Sequence, residues 1–170
     1  SVAQHTFAML FYLLEKLPYY DAYVKDEHYM GDTSFTHFAK HFHQIADMTW
    51  GIIGLGNIGR KVADIAKAFG CHVIYYSTSG RNAQPGYEQV SFDELLSQSD
   101  IVSVHAPLDE NTKDLMNAEA FSKMKPNAIF LNVGRGPIVC EDALADALNH
   151  GTIAAAGLDV LREEPMSPDN

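Results

Sequence analysis

Apolar and polar positions follow two different patterns along this chain. Over residues 2–17, Val2, Phe7, Leu10, Phe11, Leu13, Leu14 and Leu17 recur at helical spacing and leave little polar face. That predicts a helix buried on more than one side. Pro18, with no N–H to donate, is expected to stop it. Residues 19–46 are aromatic and His-rich without a clean period, and read as a loop with short helical pieces. From residue 48 the pattern turns regular. The runs "MTWGIIG", "CHVIYY", "IVSVHA", "AIFLNV" and "IAAAGLDV" are apolar almost throughout and predict five buried strands.

Between those runs lie helical stretches. Residues 58–69 form one, with Gly70 as its cap. Ser91 and Glu94 make a capping box ahead of "FDELLSQ". "NAEAFSKM" is a short helix, and 140–150 another, closed by Gly151. Strands and helices that alternate in this way, with strands apolar on both faces, specify an α/β fold: a Rossmann-type, doubly wound parallel sheet preceded by a hydrophobic helix. The expected organisation is one domain over 1–170, with a leading helix and loop over 1–47 and a core over 48–165.

Bulk composition narrows the function classes. The 170 residues are 46% hydrophobic and 20% charged, a globular and not a disordered balance. A net charge of −10 argues against a nucleic-acid groove, which needs clustered Lys and Arg. The longest apolar run, "FAMLFYLL", is too short to span a bilayer, so no membrane partner is expected. Cys71 and Cys140 offer no disulfide framework, consistent with a reducing cytoplasm. A start at Ser1 and an abrupt "EEPMSPDN" end are read as marks of a piece of a longer protein.

Gly54-Leu55-Gly56-Asn57-Ile58-Gly59 matches GxGxxG between a strand and a helix, the context in which that pattern cradles a pyrophosphate. Gly54 permits the tight turn, Gly56 lets the anion approach the backbone, and Gly59 lets the helix sit close to the strand. The free N–H groups of the helix N-terminus then attract the phosphates. A glycine turn without a ligand, or an S-adenosylmethionine site, would be the competing readings. About 20 residues beyond the glycines a carboxylate normally holds the ribose 2′-OH of NAD. Here that place carries Ser77, Thr78, Ser79, Gly80 and Arg81. Hydroxyls can donate to a 2′-phosphate and a guanidinium can pair with it, so NADP is expected in preference to NAD.

Four segments in order, "GLGNIGRKVADIAKAFG", "VHAPLDENT", "NVGRG" and "GLDVLREEP", resemble the nucleotide-binding domain of the D-isomer-specific 2-hydroxyacid dehydrogenases. "SVAQHTFAMLF" is similar to the helix that enters that domain. The resemblance implies an oxidoreductase that moves a hydride between NAD(P)H and a small 2-keto or 2-hydroxy acid of the glyoxylate, hydroxypyruvate or pyruvate class. It implies that Arg135 holds the substrate carboxylate, with Val133 and Gly134 beside the nicotinamide. Glu164 would support a catalytic His and Asp159 would face the nicotinamide amide. His105, Ala106, Pro107 and Thr112 would pass the adenine end. The family's acid/base His lies downstream of this stretch, and none of the eight histidines here takes its place. The piece alone is therefore expected to bind cofactor without turnover. The leading helix is expected to pack on a partner subunit, giving a homodimer.

Two signals stay unpromoted. His37, His41 and His43 lack Cys or close acidic partners, so no metal site is assigned. "LPYYDAYV" has few basic residues among its aromatics and reads as core or interface. The rival function class is a non-catalytic, NAD(P)-sensing regulator of the corepressor type; turnover by the full-length protein separates the two. A dehydrogenase of different substrate chemistry, such as phosphonate oxidation, shares the same motifs.

Overall fold

A computed structural model describes residues 1–31, 33–40, 43–80 and 83–166. Its centre is a six-stranded sheet: β1 Thr49–Ile53, β2 His72–Tyr76, β3 Glu88–Gln89, β4 Ile101–Val104, β5 Ile129–Asn132 and β6 Ala155–Leu158. The strands run parallel in the order β3-β2-β1-β4-β5-β6. The order reverses at β1, between β2 and β4, and in open α/β sheets a crevice forms there beyond the carboxyl ends.

Successive side chains of a strand point to opposite faces, and both faces are apolar here. Ile53, Ile74, Val102, Val104 and Phe130 join one core with helices α4 Phe92–Gln98, α5 Ala118–Ser122 and α6 Glu141–Asn149. Trp50, Ile52, Val73, Tyr75, Ile101 and Leu131 join the other, beneath α1 Val2–Leu14 and α3 Asn57–Ala68. Phe7 of α1 lies 4.9 Å from Trp50 and 5.8 Å from Phe69, ring centre to ring centre. The leading helix therefore buries Ala3, Thr6, Phe7, Leu10 and Leu14 within its own chain. No partner is needed to cover that face.

Pro18 does not stop the first helix. Helix α1 already ends at Leu14, and Lys16 turns the chain with a φ of 54°. A second helix, α2 Leu17–Lys25, then starts with Pro18 in its first turn. The missing N–H costs nothing there, because the first turn has no acceptor for it. So residues 19–25 are helical, and a 3₁₀ turn follows at His28–Gly31. None of α2 is buried, which is why its positions carry no period. Strand β3 was also not foreseen. It has two polar, exposed residues at the sheet edge, paired only to Ile74 and Tyr75, and shows no alternation to read.

Candidate functional site

The turn from β1 into α3 is built around two glycines. Gly54 adopts a φ of +90°, and a Cβ there would lie 2.8 Å from the Ala106 backbone. A Cβ on Gly59 would collide with the Gly54 carbonyl oxygen. The turn can be this tight, and α3 this close to β1, only without side chains at both positions. Gly56 differs: nothing lies within 4 Å of where its Cβ would be. It is the N-cap of α3, with no side-chain cap and no acidic residue in the first turn. Asn57 and Ile58 follow it, both exposed. The first N–H groups of α3 therefore face outward with neither a side-chain cap nor an acidic residue in the first turn, an end whose dipole favours an anion.

Beside it opens a crevice of about 280 Å³. Gly54, Gly56, Ser77, Thr78, Ser79, His105 and Pro107 line it, as does Leu55. Tyr75 and Asp109 complete the wall. A second, wider hollow of about 900 Å³ shares Ser77, Thr78 and Ser79 and continues to Gly80 and Asn111. Thus the phosphate turn stands between the loop after β2 and the loop after β4, and all three wall the crevice. Arg81 lies outside the described residues.

The loop after β4 carries the most informative polar group. Trp50 Nε1 donates to Ser103 Oγ at 2.9 Å, and Ser103 Oγ is 3.0 Å from His105 Nε2. Ser103 accepts from the indole and shares a second hydrogen bond with Nε2, in which either atom can be the donor. Nδ1 is buried and has no partner among the described residues. Burial pushes the His105 pKa down to about 4, so the ring stays neutral near pH 7. Such a buried polar atom beside the crevice fits a bound polar ligand there. Ala106 lies under Gly54. Thr112 is fully buried, donating to the Pro107 carbonyl at 2.7 Å and accepting from Asp109 N–H at 2.8 Å. It shapes the loop and lines neither hollow.

On the other half of the carboxyl edge, Arg135 follows β5 and is exposed, its Nη1 donating to the Gly134 carbonyl at 2.8 Å. Asn132 fixes that turn from below: its Oδ1 accepts from Gly134 N–H and its Nδ2 donates to the Arg135 carbonyl. Val133 and Gly134 are buried beneath it. A Cβ on Gly136 would strike the Leu161 carbonyl, so the "LREEP" segment lies directly on the Arg135 turn. Arg162 clamps it there through Asp114 Oδ1, at 2.6 and 2.7 Å. Glu164 accepts from Leu161 N–H at 2.9 Å. Asp159 follows β6 and pairs with His5 of α1, Nε2 to Oδ1 3.2 Å. The structure therefore gathers the predicted positions into two groups, one around Gly56 and one around Arg135, both on the same sheet edge.

Sequence reasoning missed Tyr75, Asp109 and the Trp50–Ser103–His105 chain. One signal was available: Ser103 is the polar break in an apolar strand, and two residues on, His105 shares its face. Among the described residues no group of three or more His, Cys, Asp or Glu could hold a metal ion. Nor is any helix long and apolar enough to cross a membrane. His41 lies outside the described residues, and His37 stacks on Tyr23 at 3.9 Å.

An outward-facing helix N-terminus at the switch point of a parallel sheet in this order defines a dinucleotide-binding protein. The chain belongs to the D-isomer-specific 2-hydroxyacid dehydrogenases through their NAD-binding domain, whose family model matches residues 7–170. Over 130 residues it is 45% identical to a glyoxylate reductase of Aeropyrum pernix, covering 75% of this chain and 39% of that protein. A D-lactate dehydrogenase from Aquifex aeolicus, complexed with NAD and lactic acid, superposes with a TM-score of 0.87 at 34% identity. That match covers 96% of this chain and 48% of the other. An acyclic imino acid reductase in complex with NADPH and D-Arg superposes with a TM-score of 0.87 at 36% identity, over 99% and 52%. The chain thus spans about half or less of the length of these relatives.

Proposed function

We propose that the protein carrying this domain is an NAD(P)-dependent dehydrogenase of small 2-hydroxy acids, of the glyoxylate, hydroxypyruvate or pyruvate class. The observation that carries this reading is the placement of Arg135. Its guanidinium is exposed at the carboxyl edge of β5, on the edge that holds the phosphate turn, in a loop locked by Asn132. A planar fork in that position suits a carboxylate. The pyrophosphate would rest on the N-terminus of α3, and Ser77, Thr78 and Ser79 would meet the ribose. His105 Nδ1 would offer a neutral hydrogen-bonding atom beside the dinucleotide. Asp159 and Val133 would lie toward the nicotinamide.

The bound cofactor supplies the hydride. Arg135 binds the substrate carboxylate and aims the carbonyl, so that binding geometry lowers the barrier. Glu164 sits on the segment that crosses the Arg135 turn, positioned to orient a proton donor from the rest of the protein. NADP in preference to NAD is supported by the lack of any acid over residues 77–81 and by Arg81 within that loop. A homodimer is supported by exposed apolar side chains outside the core, among them Tyr12, Met30, Phe35 and Phe38. Free thiols at Cys71 and Cys140 fit a cytoplasmic setting.

Calorimetric titration of the chain with NADH and NADPH tests the cofactor half; no heat with either overturns it. Turnover of the full-length protein on glyoxylate, hydroxypyruvate and pyruvate tests the other half. Tight cofactor binding without turnover on any 2-keto acid would favour the sensor class instead.

A further inference from the structure

Helix α3 does more than present its N-terminus. Three of its side chains, Arg60, Asp64 and Lys67, stand at i, i+4 and i+7, one face of a helix. Each holds a different point of the segment between β2 and β3. Arg60 Nη1 donates to Gln84 Oε1 at 3.2 Å, while its Nη2 donates to Asn57 Oδ1 at 2.6 Å in the phosphate turn. Tyr87 OH donates to Asp64 Oδ1. Lys67 Nζ donates to the Gly86 carbonyl at 2.8 Å and also lies 4.0 Å from the centre of the Tyr87 ring. From the sheet side, Gln84 N–H donates to Tyr75 OH at 2.9 Å, and Tyr75 OH donates to Gln89 at 2.9 Å. Tyr75 lines the crevice beside the phosphate turn.

Residues 84–87 are thus strapped along α3, while residues 77–79, which wall both hollows, lie between the strap and the end of β2. Single surface contacts of this kind are weak. Several acting on four consecutive residues fix one conformation of a short loop, and the ordering cost is then met before a ligand arrives.

We propose that this strap is a positioning device for coenzyme selection: Arg60, Lys67 and Tyr87 anchor residues 84–87 along α3 and tie them to the phosphate turn, which restricts where the ribose-facing residues 77–80 can stand. This rests on the dinucleotide reading above for the identity of the ligand, but not for the existence of the strap. None of the three residues needs to touch the coenzyme. They act on residues 84–87 and, through that anchor, on residues 77–80.

The test compares the parent chain with Lys67→Ala/Tyr87→Phe and with Lys67→Arg, which keeps a cation over the ring. Two readouts are taken: dissociation constants for NADH and NADPH by calorimetry, and amide hydrogen exchange. The double variant is expected to exchange faster over residues 77–87, with β1, β4 and β5 unchanged. Its affinity for the preferred coenzyme should fall roughly fivefold to tenfold, and the NADH-to-NADPH ratio should move toward one. Lys67→Arg should restore most of both effects. Unchanged exchange over 77–87 would refute the strap. Faster exchange with unaltered affinities and ratio would refute its part in selection. A parent chain that binds neither coenzyme would refute the dinucleotide reading and, with it, the role in selection, while the exchange arm still decides whether the strap exists.

Discussion

Helices α3 and α4 flank the same sheet and begin in opposite ways. At α4, Ser91 accepts from Glu94 N–H and the Glu94 carboxylate accepts from Ser91 N–H, with Asp93 adding a second charge. The Ser91 hydroxyl, which donates to the Glu94 carboxylate at 2.6 Å, and after it the Ser91 N–H hold that carboxyl below the usual carboxylate range. At α3 the cap is Gly56, which has no side chain to offer, and no acid follows it. Both ends leave backbone donors without intrahelical partners. One end satisfies them internally and is finished as structure. The other leaves them open, which the proposed function reads as room for phosphates. Helix α2 also starts without a side-chain cap, so the support for that reading comes from the place of α3 at the switch point of the sheet.

The comparison can be broken at several points. The largest effect is expected on the far side of the same edge. Arg135→Ala in the full-length protein should lower kcat/KM for the proposed 2-keto acid about a thousandfold, because the charge-assisted contact to its carboxylate is lost. Cofactor affinity should stay within about twofold. Equal losses in both would show that Arg135 shapes the phosphate half as well.

Next, Gly56→Asp makes α3 resemble α4. Its φ is −80° and its Cβ would meet nothing, so the fold tolerates the change. The carboxylate would cap the helix and repel a pyrophosphate. Coenzyme affinity should drop about a hundredfold while Tm holds or rises. A variant that still binds coenzyme normally would mean that phosphates do not sit at this N-terminus.

His105 gives a pH signature. Its folded pKa, about 4, lies below the unfolded value near 6.5, so the unfolded chain binds the extra proton between those limits. Its contribution is intact above pH 6.5 and is lost as pH falls toward 4, up to about 3 kcal/mol. Denaturant melts of His105→Gln should show a flatter loss over that window than the parent. Parallel curves would place the histidine in water.

The smallest effect belongs to α4. Ser91→Ala should lower Tm by about 2–4 °C and leave coenzyme affinity untouched. A change in affinity would mean that the wider hollow, which Ser91 also lines, takes part in binding.

Much of this site was legible before any coordinates. The GxGxxG pattern placed Gly54, Gly56 and Gly59, and the structure shows why Gly54 and Gly59 have no side chain, while a Cβ on Gly56 would meet nothing. Ser77, Thr78 and Ser79 do line the crevice that the missing ribose acid pointed to. Thr112 shows the limit: its hydroxyl is turned inward, a choice made by the Asp109 and Pro107 backbone and invisible in "PLDENT". Pro18 shows another. A proline reads as a stop when only the turn before it is considered, and as a start once the chain has already turned at Lys16.

By itself the sequence determined the parallel sheet, its helical layers and the phosphate turn, because these follow from the apolar period and from glycines needed over a few neighbouring residues. Tertiary structure alone decided that α1 is covered by its own sheet, that Trp50 reaches His105 through Ser103, and that "LREEP" crosses the Arg135 turn. Those contacts join residues dozens of positions apart. Their geometry is set by which strands lie side by side, and a linear pattern carries no record of that.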